Sequence, residues 1–173
     1  PAVRKWGVHP SWTRAVCSPE IYDELEIALA KLLGCKSLLL FQTITLIHEG
    51  VLPLLARNDS VILMDQDAHR SIYEACRLAH EGGAGFVQVA HNNFQALEKK
   101  LQEYKDTPVK IIAIDGVYSM SGDYADLPKY VELSKKYNAV IYIDDAHGLG
   151  VIGEPKAGTC EYGSKGNGIV RYY

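Results

Sequence analysis

Apolar runs alternate with amphipathic helical patterns along most of the chain. The first helical pattern opens at Ser18-Pro19-Glu20, with Ser18 as the N-cap, proline in the first turn and an acid beside it. Apolar residues recur at helical spacing from Ile21 to Leu33, and Gly34 ends the pattern. The sequence therefore predicts one amphipathic helix before the first strand.

Short apolar runs predict five strands, which alternate with further helices. The strands are expected at 37–41, 61–64, 86–89, 109–114 and 139–143. The later helices are expected at about 45–56, with Pro53 distorting its end, and at about 71–80, 94–104 and 127–137. The helix at 94 is expected to be capped by Asn92 or Asn93, and the chain from about Gly148 is expected to be loop.

Strands that alternate with helices imply βαβ crossovers. We therefore expect an α/β fold of three layers, a mainly parallel sheet with helices on both faces. Ligands bind such sheets at the carboxyl ends of the strands. This rule selects the residues after each strand, which are Gln42-Thr43, Asp65 to His69, Ala90-His91, Asp115 to Ser119 and Asp144 to His147.

Composition narrows the class of protein without changing the fold. The 173 residues are 47% hydrophobic and 23% charged, as in an ordinary soluble domain. A net charge of −3 gives no basic signature for nucleic acid. No apolar run approaches the roughly 20 residues that span a bilayer, and the first residues show no signal-peptide pattern. The four cysteines are far apart, which favours free thiols in a reducing cytoplasm.

The strongest chemical signal follows the last predicted strand, where Asp144, Asp145 and His147 leave it together. A carboxylate at a strand end can pair with a protonated heterocyclic nitrogen and keep it charged. The alternative is that the two acids cap the next turn, and for Asp145 we favour that alternative.

Two further polar motifs follow other strands. Asp115 begins a segment through Asp123 in which glycines permit a tight turn and Ser119 offers a hydroxyl. His69 lies directly before a helix, where its flat ring could stack on a planar cofactor.

Together these motifs resemble the α-oxoamine synthases, a family of pyridoxal-phosphate (PLP) enzymes with the aspartate-aminotransferase fold. The resemblance covers about residues 15–163. It rests on these stretches: Tyr22 to Glu26, Asp67 to Ile72, His91 to Asn93, Asp115 to Asp123, Asp144 to Gly150, and Gly158-Thr159.

The resemblance implies a role for each candidate residue. Asp144 would bind the pyridine nitrogen, His147 with Ser119 would contact the phenolic oxygen, and His69 would stack on the ring. Asp115 matches an acidic position near the reacting centre. The family joins an amino acid to an acyl-CoA, releasing CoA and carbon dioxide, at sites formed across a homodimer interface.

The chain departs from the family pattern after the first predicted strand. The family usually has Ser-Gly-aromatic there and an asparagine shortly after, whereas this chain has Gln42-Thr43-Ile44-Thr45 and then His48. The helix N-terminus at Thr43 and Ile44 could still bind the phosphate. The departure suggests a divergent branch, nearer the aminotransferases or amino-acid decarboxylases of the same fold.

The lysine that would hold PLP covalently is the second departure. Ser164-Lys165 offers a matching pair without a buried strand before it, and Lys156 lies in a loop. We therefore expect residues 1–173 to be part of a PLP-binding large domain, with the lysine segment and C-terminal small domain absent, and inactive alone.

Other classes of function remain open from the sequence. Asp144, Asp145, His147 and His69 are chemically acceptable ligands for a metal-dependent hydrolase. A non-catalytic binding domain derived from the enzyme fold is the third hypothesis. A nicotinamide-binding domain is disfavoured, because no G-x-G-x-x-G follows the first strand.

Overall fold

A computed structural model of the chain describes residues 2–7, 13–154 and 157–160. The helices are α1 (Ala2–Trp6), α2 (Glu20–Leu33), α3 (Ile44–Leu55), α4 (Arg70–Glu81), α5 (Phe94–Glu103) and α6 (Leu127–Tyr137). The strands are β1 (Ser60–Asp65), β2 (Gly85–Val89), β3 (Val109–Asp115) and β4 (Val140–Asp144). The described residues form two compact units, one within residues 2–40 and the other within residues 41–160.

The four strands described in the larger unit pair in parallel, in the order β2-β1-β3-β4. The pairing of β3 with β4 sets Asp115 directly beside Asp144 at the carboxyl edge. β1 ends at the same edge with Asp65. Three aspartates on adjacent strands therefore end together.

Alternation along the central strands divides the core into two clusters, one on each face of the sheet. Val61, Leu63, Ile112 and Ile114 pack with residues of α5 and α6. Ile62, Met64, Ile111 and Ala113 pack with Leu52 of α3 and with Ile72, Ala75 and Cys76 of α4. The expected three-layer α/β fold is thus confirmed.

Short polar side chains cap α3, α5 and α6 at their N-termini. Thr43 Oγ1 accepts from Leu46 N–H at 3.2 Å, Asn93 Oδ1 from Ala96 N–H at 2.9 Å and Asp126 from Lys129 N–H at 3.4 Å. Asn93, rather than Asn92, therefore caps α5. His69 is the N-cap of α4, and its Nδ1 accepts from Ser71 N–H at 3.3 Å.

The strand expected at 37–41 is wrong. Within the described part of the chain these residues pair with no strand, and Leu40 N–H donates to Glu26 Oε1 at 2.8 Å instead. Leu39 is 72% exposed. An apolar run alone does not determine a strand, because a strand also needs a neighbouring strand to pair with its backbone N–H and C=O groups.

The expected cap of α2 is also wrong. The helix begins at Glu20 with Pro19 at the N-cap and no side-chain cap bond. Ser18 Oγ instead accepts from Nε and Nη2 of Arg14 at 3.4 and 3.3 Å. Gly34 ends the helix as expected, in the left-handed conformation with φ of 64°.

Two of the sequence expectations concern residues outside those described. Lys156 and Lys165, the lysines considered for PLP attachment, both lie there. Among the helices described, none is long and apolar enough to cross a membrane.

Candidate functional site

Strand alternation separates the three strand-end aspartates. Asp115 lies on the same face of the sheet as Ile111 and Ala113, because alternate residues of a strand share a face. Asp144 shares that face with Tyr142, and helices α3 and α4 cover it. Asp65 follows Leu63 to the opposite face, under α5 and α6. The sheet thus brings Asp115 and Asp144 together and turns Asp65 away.

Asp144 is a buried acid whose two oxygens each accept a hydrogen bond. Oδ1 accepts from Ala146 N–H at 3.0 Å, and Oδ2 lies 3.0 Å from Nε2 of His48. Burial raises the pKa of this carboxyl, but the bonds from His48 and Ala146 outweigh it, so its pKa is lowered overall. Asp144 is therefore held in its charged form.

His48 is a buried partner of Asp144 that the sequence motifs did not select. It lies on α3, is only 2% exposed, and places Nδ1 2.7 Å from the hydroxyl of Tyr142. A signal was present, because His48 shares the buried stripe of α3 with Leu52, one turn later. A histidine in such a stripe needs polar partners.

Asp115 and His69 meet beside Asp144. The backbone N–H of His69 donates to both oxygens of Asp115, at 3.1 and 3.2 Å. Burial, helped by the neighbouring charge of Asp144, outweighs the hydrogen bond from His69 and raises the pKa of Asp115 to about 6. The imidazole of His69 is on an exposed residue, so it is open to a ligand at this edge.

The other predicted contacts lie on exposed turns. Thr43 and Ile44 open α3, where first-turn N–H groups lack intrahelical acceptors. Ser119 is exposed in the loop after β3, and His147 in the turn after β4. Among the described residues the hydrogen bonds to the Asp144 carboxylate come from His48 and Ala146, so the structure does not join His147 to it.

Asp145 has a structural partner fourteen positions along the chain. One carboxylate oxygen accepts from Thr159 N–H at 2.8 Å and the other from the Thr159 hydroxyl. A Cβ at Gly116, Gly148 or Gly158 would overlap this carboxylate. Asp145 therefore anchors the loop to Thr159, a structural role as expected, but through Thr159 rather than the next turn.

Asp65 anchors a second loop on the other face of the sheet. It accepts from the hydroxyls of Tyr118 and Tyr130 at 3.0 and 3.2 Å and lies 3.0 Å from Nδ1 of His91. Nε2 of His91 lies 2.8 Å from Asp123. These contacts bind the ends of the loop that carries Ser119.

The bridge through His91 is charged when its ring is protonated. Burial lowers the pKa of His91, but hydrogen bonds to Asp123 and Asp65 and their charges outweigh this, so its pKa is raised. Asp123 shows the reciprocal effect, with its pKa lowered by Ser121 and His91.

The geometry does not support the metal-hydrolase hypothesis. Within residues 2–7, 13–154 and 157–160, no group of three or more His, Cys, Asp or Glu side chains is placed to hold a metal ion. Asp144 and Asp145 also belong to separate networks, one with His48 and one with Thr159.

Comparison with known proteins agrees with this geometry. The family described as Aminotransferase class I and II matches residues 12–168. The chain is 39% identical to an 8-amino-7-oxononanoate synthase of Thermosipho melanesiensis, over 99% of this chain and 41% of that protein. It is 42% identical to a serine palmitoyltransferase of Bacteroides ovatus, over 83% of this chain and 36% of that protein.

A solved structure shares the fold closely. A serine palmitoyltransferase from S. paucimobilis, with a bound PLP–myriocin aldimine, matches 94% of this chain and 40% of its own at a TM-score of 0.88 and 31% identity. The chain thus spans about 40% of the length of these relatives. The resemblance to α-oxoamine synthases is confirmed, and the chain belongs to the class I and II aminotransferase family.

Proposed function

We propose that this chain forms one side of a PLP site in a transferase that condenses an amino acid with an acyl-CoA. The observation that carries the proposal is Asp144, a buried carboxylate held charged at the carboxyl edge of the sheet. The names of the relatives, 8-amino-7-oxononanoate synthase and serine palmitoyltransferase, favour this reaction over amino transfer or decarboxylation.

The donors and acceptors at this edge suit the parts of PLP. Each oxygen of Asp144 accepts one described hydrogen bond and keeps acceptor capacity for a protonated ring nitrogen. The N-terminus of α3 at Thr43 and Ile44 supplies backbone N–H groups suited to a phosphate. His69, Ser119 and His147 are exposed and are assigned to the ring face and phenolic oxygen.

The chain's own residues would set charge and move protons. PLP supplies an electron sink for carbanion chemistry when it is bound. Asp144 keeps the ring nitrogen protonated, because an ionised carboxylate favours a nearby positive charge. Asp115, with a pKa of about 6, suits proton exchange near neutral pH.

PLP binding to the purified chain tests the cofactor assignment. Equilibrium dialysis should show saturable binding, and Asp144→Ala should weaken it about 10-fold or more, because a charged hydrogen bond is lost. Asp67→Asn is the matched control, an exposed acid close to the same edge. Equal binding by both variants, or none by the parent chain, would refute the assignment.

The class of reaction needs a separate test in the enzyme that contains this chain. Acyl transfer frees a CoA thiol, which a thiol reagent detects in the presence of PLP, an amino acid and an acyl-CoA. Amino transfer to a keto acid frees none. Amino-acid-dependent thiol release supports the proposal, and its absence alongside keto-acid formation would replace it with the aminotransferase alternative.

We also propose a cytoplasmic homodimer. The four cysteines are described, and all are free thiols, as a reducing compartment favours. Several large apolar side chains of the larger unit are exposed, among them Leu54 at 65% and Val151 at 66%. Such side chains are suited to burial against a second copy.

A further inference from the structure

We infer that His48 is a positioning residue for Asp144, and that through Asp144 it determines how strongly the site prefers a protonated pyridine nitrogen. This inference rests on the proposed PLP site. It concerns a side chain that lies in the body of helix α3 rather than at a strand end.

The hydrogen bond between His48 and Asp144 has one direction. Asp144 is ionised, so its Oδ2 can only accept, and the ring atom His48 Nε2 must carry a hydrogen. In the neutral ring Nδ1 then accepts, and Tyr142 donates its hydroxyl over 2.7 Å. Burial and the charge of Asp144 raise the pKa of Tyr142, which keeps that hydroxyl protonated.

Burial makes this relay more than a surface contact. The side chains of His48 and Asp144 are 3% and 7% exposed. If the hydrogen bond between them is lost, water has little access to take its place, and the unpaired group is destabilising. The ring of His48 also meets Tyr142 edge to face, with centroids 5.6 Å apart. Packing on α3 and β4 therefore fixes the imidazole, and the imidazole fixes one oxygen of Asp144.

The test compares PLP with its 1-deaza analogue, in which CH replaces the ring nitrogen. Affinities are measured by equilibrium dialysis for the parent chain, His48→Leu and His48→Gln. The parent chain should prefer PLP. His48→Leu, which lacks a donor, should lose about 10-fold or more of that preference, while affinity for the analogue changes little.

His48→Gln is the conservative variant, because its amide Nε2 can donate from about the place of the histidine Nε2. It should retain most of the preference for PLP. A merely structural role for His48 would weaken binding of both ligands equally and would show no rescue by glutamine. Either of those results overturns the inference.

The same measurements separate this inference from the proposed function. A parent chain that binds PLP and the analogue equally refutes the role of Asp144 itself. A parent chain that prefers PLP, with the preference unchanged in His48→Leu, refutes only the role of His48.

A measurement on the parent chain tests the inference even if the His48 variants do not fold. Nitrogen-15 NMR of histidine-labelled protein should show a hydrogen on Nε2 of His48. Hydrogen on Nδ1 alone would overturn the inference, because Nε2 could not then donate to Asp144.

Discussion

The three strand-end aspartates are one residue type in three environments. Asp65 receives the hydroxyls of Tyr118 and Tyr130 and serves the structure. Asp144 has a lowered pKa through His48, and Asp115 a raised pKa through burial. Adjacent acids with pKa values pushed apart are typical of sites that need one fixed charge and one exchangeable proton.

The raised pKa of Asp115 gives a prediction for stability against pH. In the cofactor-free chain its carboxyl should titrate near pH 6 in carboxyl carbon-13 NMR, against an ordinary value of 3.8. Between these values the folded chain holds a proton that the unfolded chain has released. The protonated carboxyl of Asp115 therefore contributes its full stabilisation below the pKa it has in the unfolded chain. That stabilisation is lost as the pH rises through about 6.

Asp115→Asn should remove this slope. The loss on raising the pH from about 4 to about 7 should be on the order of 2–3 kcal/mol in the parent chain, measured by urea unfolding, and smaller in the variant. Asparagine keeps an oxygen for the His69 N–H, so the fold is preserved. An Asp115 midpoint below about 4.5 would contradict the prediction.

Sequence reasoning at the residue scale found the acids but not their partners. Asp115 and Asp144 follow apolar strands, so the carboxyl-edge rule identifies them. The partner of Asp144 is 96 positions away on α3, and no local pattern connects the two. The opposite sides taken by Asp65 and Asp115 depend on strand alternation, which becomes useful only when the ends of each strand are known.

At the scale of elements, the loop after β4 is closed by an acid packed among glycines. Gly148 is buried, and a Cβ there would overlap the Asp145 carboxylate and meet Thr159 Oγ1 at 2.6 Å. Gly148→Ala should therefore lower the free energy of unfolding by about 1–3 kcal/mol, through overpacking. Chemical denaturation measures the change.

Gly50→Ala is the matched control for that substitution. Gly50 lies inside α3, and a Cβ there would meet nothing within 4 Å. Alanine should stabilise the helix by up to about 1 kcal/mol, since glycine is the poorer helix former. If Gly148→Ala and Gly50→Ala changed the free energy of unfolding equally, the close packing of glycines around Asp145 would not be the cause of the loss.

The His91 bridge gives a second pH prediction, at the loop after β3. The pKa of His91 is raised in the folded chain, so its protonated ring contributes its full stabilisation below the ordinary pKa of about 6.5. That stabilisation is lost as the pH rises through the pKa of His91 in the folded chain. Proton NMR titration should place the His91 midpoint above 6.5.

Asp123→Asn should move that midpoint down, because one of the two carboxylates on the ring is removed. Asp106→Asn, an exposed change elsewhere on the surface, should leave it in place. A midpoint that does not respond to Asp123→Asn would show that Asp65 alone sets the charge of His91.

Most elements were predictable from the periodicity of their apolar residues. α6 has its predicted bounds, and α4 differs by one residue at each end. The segment 37–41 had only the apolar pattern, and its backbone is partly satisfied by Glu26. A strand forms only when a second segment pairs with its backbone, so the sequence of one segment does not determine whether it is a strand.

For the whole molecule, the order of strands explains how the site is assembled. β3 and β4 are neighbours in space, although α6 separates them in sequence. Their pairing sets Asp115 beside Asp144, while α3 and α4 cover the same face and add His48 and His69. The alternation of elements predicted the layers, but not which helix would reach which strand end.

The proposed homodimer gives the last prediction, and α3 is the element that favours it. This helix exposes Ile44, Leu46, Leu54 and Leu55 by 40–65% each. A stable interface buries about 1,200–2,000 Å² in total, and its centre is apolar. Sedimentation should therefore show twice the mass of one chain, and Leu54→Lys with Leu55→Lys should shift the equilibrium towards monomer by about 10-fold or more, because charge is buried poorly.

Leu78→Lys is the control for this shift. Leu78 is 45% exposed but lies on α4 next to Arg77, which forms ion pairs with Glu74 and Glu81. A charge added to that polar surface should leave self-association unchanged. Monomeric sedimentation of the parent chain would remove the dimer proposal, and equal shifts from both changes would assign them to net charge rather than to an interface on α3.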